Sequence, residues 1–147
     1  LGPMYHLDNL DDRRKALSEA IRITRTGGVI IVGYIMNEYA IIMHGFNEHT
    51  ILSDIDMGNV DSSFKINNDG EIYSFARLED IEDVIRDMSV KREVLFAPDG
   101  AANYMRPMLN SLSEEEFETF IQYQTKISAR QELLGASAHL VDVLRVN

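Results

Sequence analysis

The sequence predicts an α/β protein, with helices packed on a sheet. A helical pattern over residues 11–25 ends at Gly27-Gly28, and an apolar strand follows at once from Val29 to Ile35. A strand that is apolar at every position is typical of a sheet covered on both faces. Two more strand patterns, at residues 93–98 and 135–146, follow further helical segments. Helix, glycine stop and buried strand together make half of a β-α-β unit.

The first helix is predicted from its apolar stripe and from its charges. Leu10, Leu17 and Ile21 recur at helical spacing. Acidic side chains precede it and basic side chains end it, which suits the helix dipole. The two glycines then supply the left-handed stop that commonly ends a helix.

The middle of the chain is less regular. Residues 37–70 carry one short helical pattern and many turn formers, and we interpret this segment as a lid or insertion rather than a core element. A short extended piece at 72–75 and a helix at 78–88 follow. Beyond the strand at 93–98, a short helix at 104–109 is interrupted by Pro107. Ser113 and Glu116 have the spacing of a capping box and predict the start of another helix.

Composition excludes several classes of function. The 147 residues fit one domain, and their net charge of −10 disfavours nucleic acid or anionic lipid as a partner. The longest apolar run, residues 29–36, is too short to span a membrane. The chain has no cysteine, so disulfides and thiolate metal sites are excluded. We therefore expect a cytoplasmic protein.

Three segments resemble class I S-adenosylmethionine-dependent methyltransferases. Residues 1–7, Leu-Gly-Pro-Met-Tyr-His-Leu, resemble the segment that closes the fourth strand in a bacterial branch of that family. Residues 12–28 look like the next helix and its stop, and residues 133–140 resemble the start of the last strand. The resemblance runs from the first residue almost to the last. It implies part of a Rossmann-like sheet, with the end of strand four and strands five, seven and six at residues 29–35, 135–146 and 93–98. In that sheet strand seven lies between strands five and six and runs antiparallel to both.

The departure from the family concerns the cofactor. In the family a glycine-rich loop after the first strand approaches S-adenosylmethionine closely, and a carboxylate binds its ribose, the logic of dinucleotide sites. This sequence contains no Gly-x-Gly. The family's first three strands would lie before Leu1, so we expect the C-terminal part of a methyltransferase domain that is inactive alone.

A sheet cut in this way leaves strand five at an edge. Residues 29–35 carry no Pro, Lys or other device that protects an edge from pairing. We therefore expect this edge to pair with a second copy of the chain or with a separate N-terminal fragment.

The resemblance also implies site residues. Gly2 and Pro3 would shape the loop at the cofactor, and Tyr5, His6 and Tyr34 would face the acceptor. His6 is the candidate catalytic base, since the ordinary pKa of histidine suits proton transfer near neutral pH. The alternative for His6 is orienting its loop. For Tyr5 the alternative is core packing, and for Tyr34 it is packing under the lid.

Other candidates are weaker. His139, in an apolar strand, is interpreted as a structural histidine, and the methionines as core residues that can also line an acceptor pocket. His44 and His49 lack carboxylates at metal-ligand spacing, so no metal site is predicted.

The function implied is methyl transfer from S-adenosylmethionine to an unidentified small molecule. The alternative, favoured by the missing glycine-rich loop, is a non-enzymatic α/β interaction or regulatory domain.

Overall fold

The protein is an α/β domain, as the sequence predicts. A computed structural model describes residues 3–147. Four strands form one sheet, in the order β2-β1-β4-β3. The strands are β1 (Val29–Met36), β2 (Phe75–Ala76), β3 (Val90–Phe96) and β4 (His139–Val146). The helices are α1 (Leu10–Ile23), α2 (Asn37–Ala40), α3 (Ile51–Asp56), α4 (Leu78–Ile85), α5 (Arg106–Leu109) and α6 (Glu114–Ile127).

Strand direction agrees with the expected remnant of a larger sheet. β4 lies between β1 and β3 and runs antiparallel to both. This is the 5-7-6 order with a reversed strand seven that the resemblance implies. β2 runs parallel to β1 but pairs only with Ile35 and Met36. From Val29 to Tyr34, the outer edge of β1 carries no strand among residues 3–147.

One face of the sheet carries the main core. Val32, Tyr34 and Met36 point to this face together with Leu140 and Leu144. Helices α1 and α4 cover it, and they contribute Leu17, Ile81 and Val84 to the same apolar cluster. The alternation arises because successive side chains of a strand point to opposite faces.

The opposite face is only partly covered. Val29 and Ile31 of β1 and Val94 of β3 are 45%, 46% and 37% exposed. The sequence predicts that the β1 strand is covered on both faces, yet residues 3–147 cover one of them well.

Several predicted boundaries differ from the observed ones. The last strand begins at His139 instead of residue 135, because residues 134–137 form a turn in which the Ser137 amide donates to the Leu134 carbonyl. β3 starts at Val90, three residues before the prediction, because Val90–Arg92 pair with β4 ahead of a bulge at Glu93. Helix α4 ends at Ile85, and Asp87 adopts a positive φ of 62° just beyond it.

The predicted lid has its own small core. After α2 a π-helical segment (Ile41–Phe46) continues the chain, followed by α3. Ile41, Ile51 and Val60 pack together with Ile66 apart from the main cluster. None of the helices among residues 3–147 combines the length and apolar character needed to cross a bilayer.

Candidate functional site

The predicted site centres on a single 3-10 turn, Met4–His6, beside β1. Pro3 is exposed and precedes the turn, and its carbonyl accepts the His6 amide at 3.0 Å. Met4 is buried in the main core, Tyr5 is half-buried and His6 is exposed. Gly2, predicted at the cofactor, lies outside the described residues. Residues 1–7 are predicted to close strand four; the described part of this segment, residues 3–7, carries no strand, and β2 pairs with the outer edge of β1 instead.

Ser74 and Arg13 hold this turn in place. The Ser74 amide donates to the Tyr5 carbonyl at 2.9 Å, and its hydroxyl donates to the Leu7 carbonyl at 2.9 Å. Arg13 is 5% exposed, and its guanidinium donates to Leu7 O and Ser74 Oγ, each at 2.8 Å. Sequence analysis missed both residues, because the contacts of Ser74 with Arg13 and Leu7 join segments 61 and 67 positions apart and leave no local signal.

The hydrogen bond of His6 fixes its tautomer. His6 Nδ1 lies 2.9 Å from the carbonyl oxygen of Ile72. A carbonyl only accepts, so Nδ1 must carry the proton. In the neutral ring Nε2 then keeps its lone pair, which is the form a general base needs. The same bond also anchors the turn, so the geometry serves both roles considered for His6.

Aromatic rings surround His6. Tyr5 lies 4.7 Å from it and Tyr73 lies 5.4 Å from it, centroid to centroid, and both rings are tilted. Tyr5 therefore contacts a small aromatic cluster at the surface. A wall of this kind suits an apolar or cationic group.

Tyr34 occupies a different environment. Its side chain is 2% exposed within the main core, and its hydroxyl has no hydrogen-bond partner among residues 3–147. Burial raises the pKa of Tyr34 well above its ordinary value. Contact between Tyr34 and an acceptor would require the core to open, so packing is the role that this position serves directly.

Asn37 joins the lid to the sheet. It follows β1 immediately and is fully buried. Its side chain donates to the Phe64 carbonyl at 2.9 Å and accepts the Ile66 amide at 2.9 Å. Sequence analysis missed Asn37; the one signal that could have found it is a polar residue directly after an apolar strand. Asn37 thus fixes where the lid leaves the carboxyl end of β1.

His139 and Asp99 form a second histidine pair at this end of the sheet. One Asp99 oxygen accepts both the His139 amide, at 3.0 Å, and the Nδ1 proton, at 2.7 Å. The ring is 51% exposed rather than enclosed by apolar neighbours. In the sheet register His139 lies opposite Ile35, which in turn pairs with Phe75.

The lid histidines have separate neighbours. His44 Nδ1 pairs with Glu48 at 2.8 Å, one helical turn away. No group of three or more His, Asp or Glu side chains within residues 3–147 has the arrangement to hold a metal ion.

The residues present do not fit S-adenosylmethionine as a complete site. The amides of Gly27 and Gly28 donate to the carbonyls of Val146 and Arg25, at 2.9 and 2.8 Å, so this glycine pair has no free amides to offer a ligand. Surface cavities of 190 to 440 Å³ occur elsewhere, and Pro3, Tyr5 and His6 line none of them.

The chain is similar to solved structures only, and the similarity is distant. No family model matches the chain, and no curated protein matches it. Seven chains of solved structures match. One is described as loganic acid methyltransferase with SAH, at 16% identity and a TM-score of 0.46, over 94% of this chain and 48% of that one. The chain thus spans about half the length of this neighbour. At this TM-score the likeness carries no argument about activity.

Proposed function

We propose that the chain is the acceptor-side part of an S-adenosylmethionine-dependent methyltransferase. The observation that carries the proposal is the strand order β1-β4-β3 with β4 antiparallel to both neighbours. A strand inserted antiparallel between two others is unusual in sheets built from β-α-β units, which are mostly parallel. It is the arrangement that the resemblance predicts.

The positions of the resembling segments support the same proposal. The Met4–His6 turn lies beside β1, and the segment at 133–140 leads into β4. The turn reaches the carboxyl end of β1 through Ser74, which bonds to Tyr5 and precedes Phe75, the partner of Ile35. The second segment reaches the same end at His139, which also lies opposite Ile35. Open α/β sheets bind ligands at this end of their strands. Two sequence segments more than 120 residues apart thus converge on one edge of the sheet.

In the proposed reaction the protein positions the acceptor and removes a proton from it. Tyr5, Tyr73 and the lid bound the acceptor, an unidentified small molecule, and His6 Nε2 takes the proton from its nucleophilic atom. Orientation of the acceptor supplies much of the rate in such a reaction. The turn is suited to that role because hydrogen bonds from Arg13 and Ser74 fix the backbone that follows it.

The cofactor must be held by residues that this sequence does not contain, since it has no Gly-x-Gly. We therefore propose that a separate N-terminal polypeptide holds the cofactor and completes the sheet at the outer edge of β1. A second copy of the chain is the alternative partner for this edge, but it would bring no Gly-x-Gly. The exposed Val29 and Ile31 are the residues that either partner would cover.

The alternative is a non-enzymatic α/β interaction domain, which the absence of Gly-x-Gly and the exposed β1 face both favour. Titration calorimetry with S-adenosylhomocysteine separates the two functions. We expect no tight binding by the 147-residue chain and one-to-one binding by a longer product that includes the coding sequence upstream of Leu1. Failure of that longer product to bind would favour the alternative, and tight binding by the short chain would contradict an incomplete site.

A further inference from the structure

A cavity of about 410 Å³ lies between helix α6 and the loop that follows β3. It is remote in sequence from the Met4–His6 turn and shares no lining residue with it. Its volume is within the range of small-molecule sites, roughly 300–1,000 Å³. Tyr104, at its wall, packs edge-on against Tyr39 of α2 at 5.2 Å, so the cavity lies against the lid.

The wall is mainly apolar. Met105, Phe120, Ile127 and Leu133 line it. The Tyr104 hydroxyl is already used, because it donates to the Ala136 carbonyl at 2.6 Å. Burial of these apolar groups against a ligand would be favourable at roughly 25 cal/mol per Å² of area removed from water.

One polar side chain in the wall, Gln124, has an acceptor oxygen that no described residue uses. Gln124 is 8% exposed, and its Nε2 donates to the Ala97 carbonyl at 3.1 Å. Because a carbonyl cannot donate, the nitrogen must face Ala97 and the oxygen must face away. Among residues 3–147, Gln124 Oε1 accepts no hydrogen bond. This oxygen is therefore free to accept a hydrogen bond from a group bound in the cavity.

Gly100 makes room for this amide. Its φ is +51°, and a Cβ at this position would overlap the side-chain amide of Gln124. The Gly100 amide donates to Ser137 Oγ at 3.1 Å, which holds the loop against the cavity. The loop is therefore shaped around Gln124 by a residue without a side chain.

We propose that this cavity binds a neutral, apolar small molecule that carries one hydrogen-bond donor, a hydroxyl or N–H, directed at Gln124 Oε1. The net charge of −10 disfavours an anionic ligand. The site does not rest on the proposed methyl transfer, because neither His6 nor a cofactor is part of it.

A matched pair of probes tests the proposal. 2-Naphthol offers an aromatic body with one donor, whereas 2-methoxynaphthalene has the same body without it. We expect NMR titration to move the side-chain amide resonances of Gln124, with 2-naphthol binding about three- to ten-fold more tightly than the ether, as one hydrogen bond implies.

Substitutions test whether Gln124 causes this difference in affinity and whether the probes bind in this cavity. Gln124→Met, nearly isosteric, is expected to reduce 2-naphthol binding to the level of the ether while the ether's affinity changes less than about two-fold. Gln122→Met, on the exposed side of the same helix, should leave both affinities unchanged. Leu133→Glu, at a position 43% exposed, should weaken both probes without unfolding the chain, and Leu52→Glu, 75% exposed in the lid, is its control.

Equal affinity of the wild type for the two probes would overturn the proposal. So would shifts that map to the open face of the sheet, around Val29 and Ile31, instead of α6. Absence of saturable binding by 2-naphthol up to its solubility limit would overturn it as well.

Discussion

Asp142 is the most buried charged side chain of the sheet, with no exposed side-chain surface. Arg92, on the neighbouring strand, donates to both of its oxygens at 2.8 Å and also pairs with Glu82 of α4. Burial raises the pKa of Asp142, and the Arg92 guanidinium opposes that shift. The pair ties β3, β4 and α4 together at the covered face of the sheet.

Removal of Arg92 alone should therefore strongly destabilise the fold. Arg92→Met leaves a buried carboxylate without its partner, and we expect a loss of about 3 kcal/mol in the free energy of unfolding. The double variant Arg92→Met/Asp142→Leu should recover much of that loss, because no unpaired charge remains. Urea unfolding of both variants measures this, and equal destabilisation by the single and double changes would contradict the pairing.

At His6, two substitutions separate proton transfer from anchoring. Asn offers a side-chain N–H close to the position of Nδ1 but has no base, whereas Ala removes both. In the complete enzyme we expect both His6→Asn and His6→Ala to lower the methyl-transfer rate about 100-fold. Full activity of His6→Asn, with activity lost only in His6→Ala, would show that the ring merely anchors the turn.

Strand β1 is the element on which the assembly proposal depends. It is apolar throughout, its outer edge is unpaired from Val29 to Tyr34 within residues 3–147, and one of its faces is open. Edges of this kind pair readily with another strand.

A charge on β1 should block such pairing. Ile31 is 46% exposed, so Ile31→Lys changes the open face without disturbing the core. We expect the wild-type chain to show concentration-dependent association in sedimentation velocity and the Ile31→Lys variant to remain monomeric. Leu52→Lys, at another exposed apolar position, controls for a general effect of charge; if it dissociates the protein equally, β1 is not the interface.

At the element level the sequence was informative where the signal is local. Helix α1, strand β1 and the capping box at Ser113 could be predicted because helical periodicity, β-branching and side-chain caps act over a few residues. The Ser113–Glu116 contacts, for example, are present as expected.

The surroundings of the candidate site were predictable only in part. Tyr5 and His6 came from the resemblance, whereas their supports, Ser74 and Arg13, depend on contacts between distant segments that no local pattern encodes. The same holds for Asn37, which determines the path of the lid through Phe64 and Ile66. Asp99, the partner of His139, is 40 residues away from it.

For the molecule as a whole, we propose that β1 is an interior strand of a larger sheet. Every second amide of β1 points away from β4 and has no strand to accept it from Val29 to Tyr34 within the described residues. Amide hydrogen exchange on β1 therefore tests the claim most directly. In the dilute 147-residue chain we expect these outward amides to exchange rapidly while those facing β4 are protected.

Completion of the sheet should change that pattern. We predict that the outward amides of residues 29–34 become protected in the longer product, or at high concentration if a second copy supplies the missing strand. The opposite result is a folded, monomeric protein whose outward β1 amides exchange as rapidly in the longer product and at high concentration as in the dilute chain. That result would show that β1 is not an interior strand.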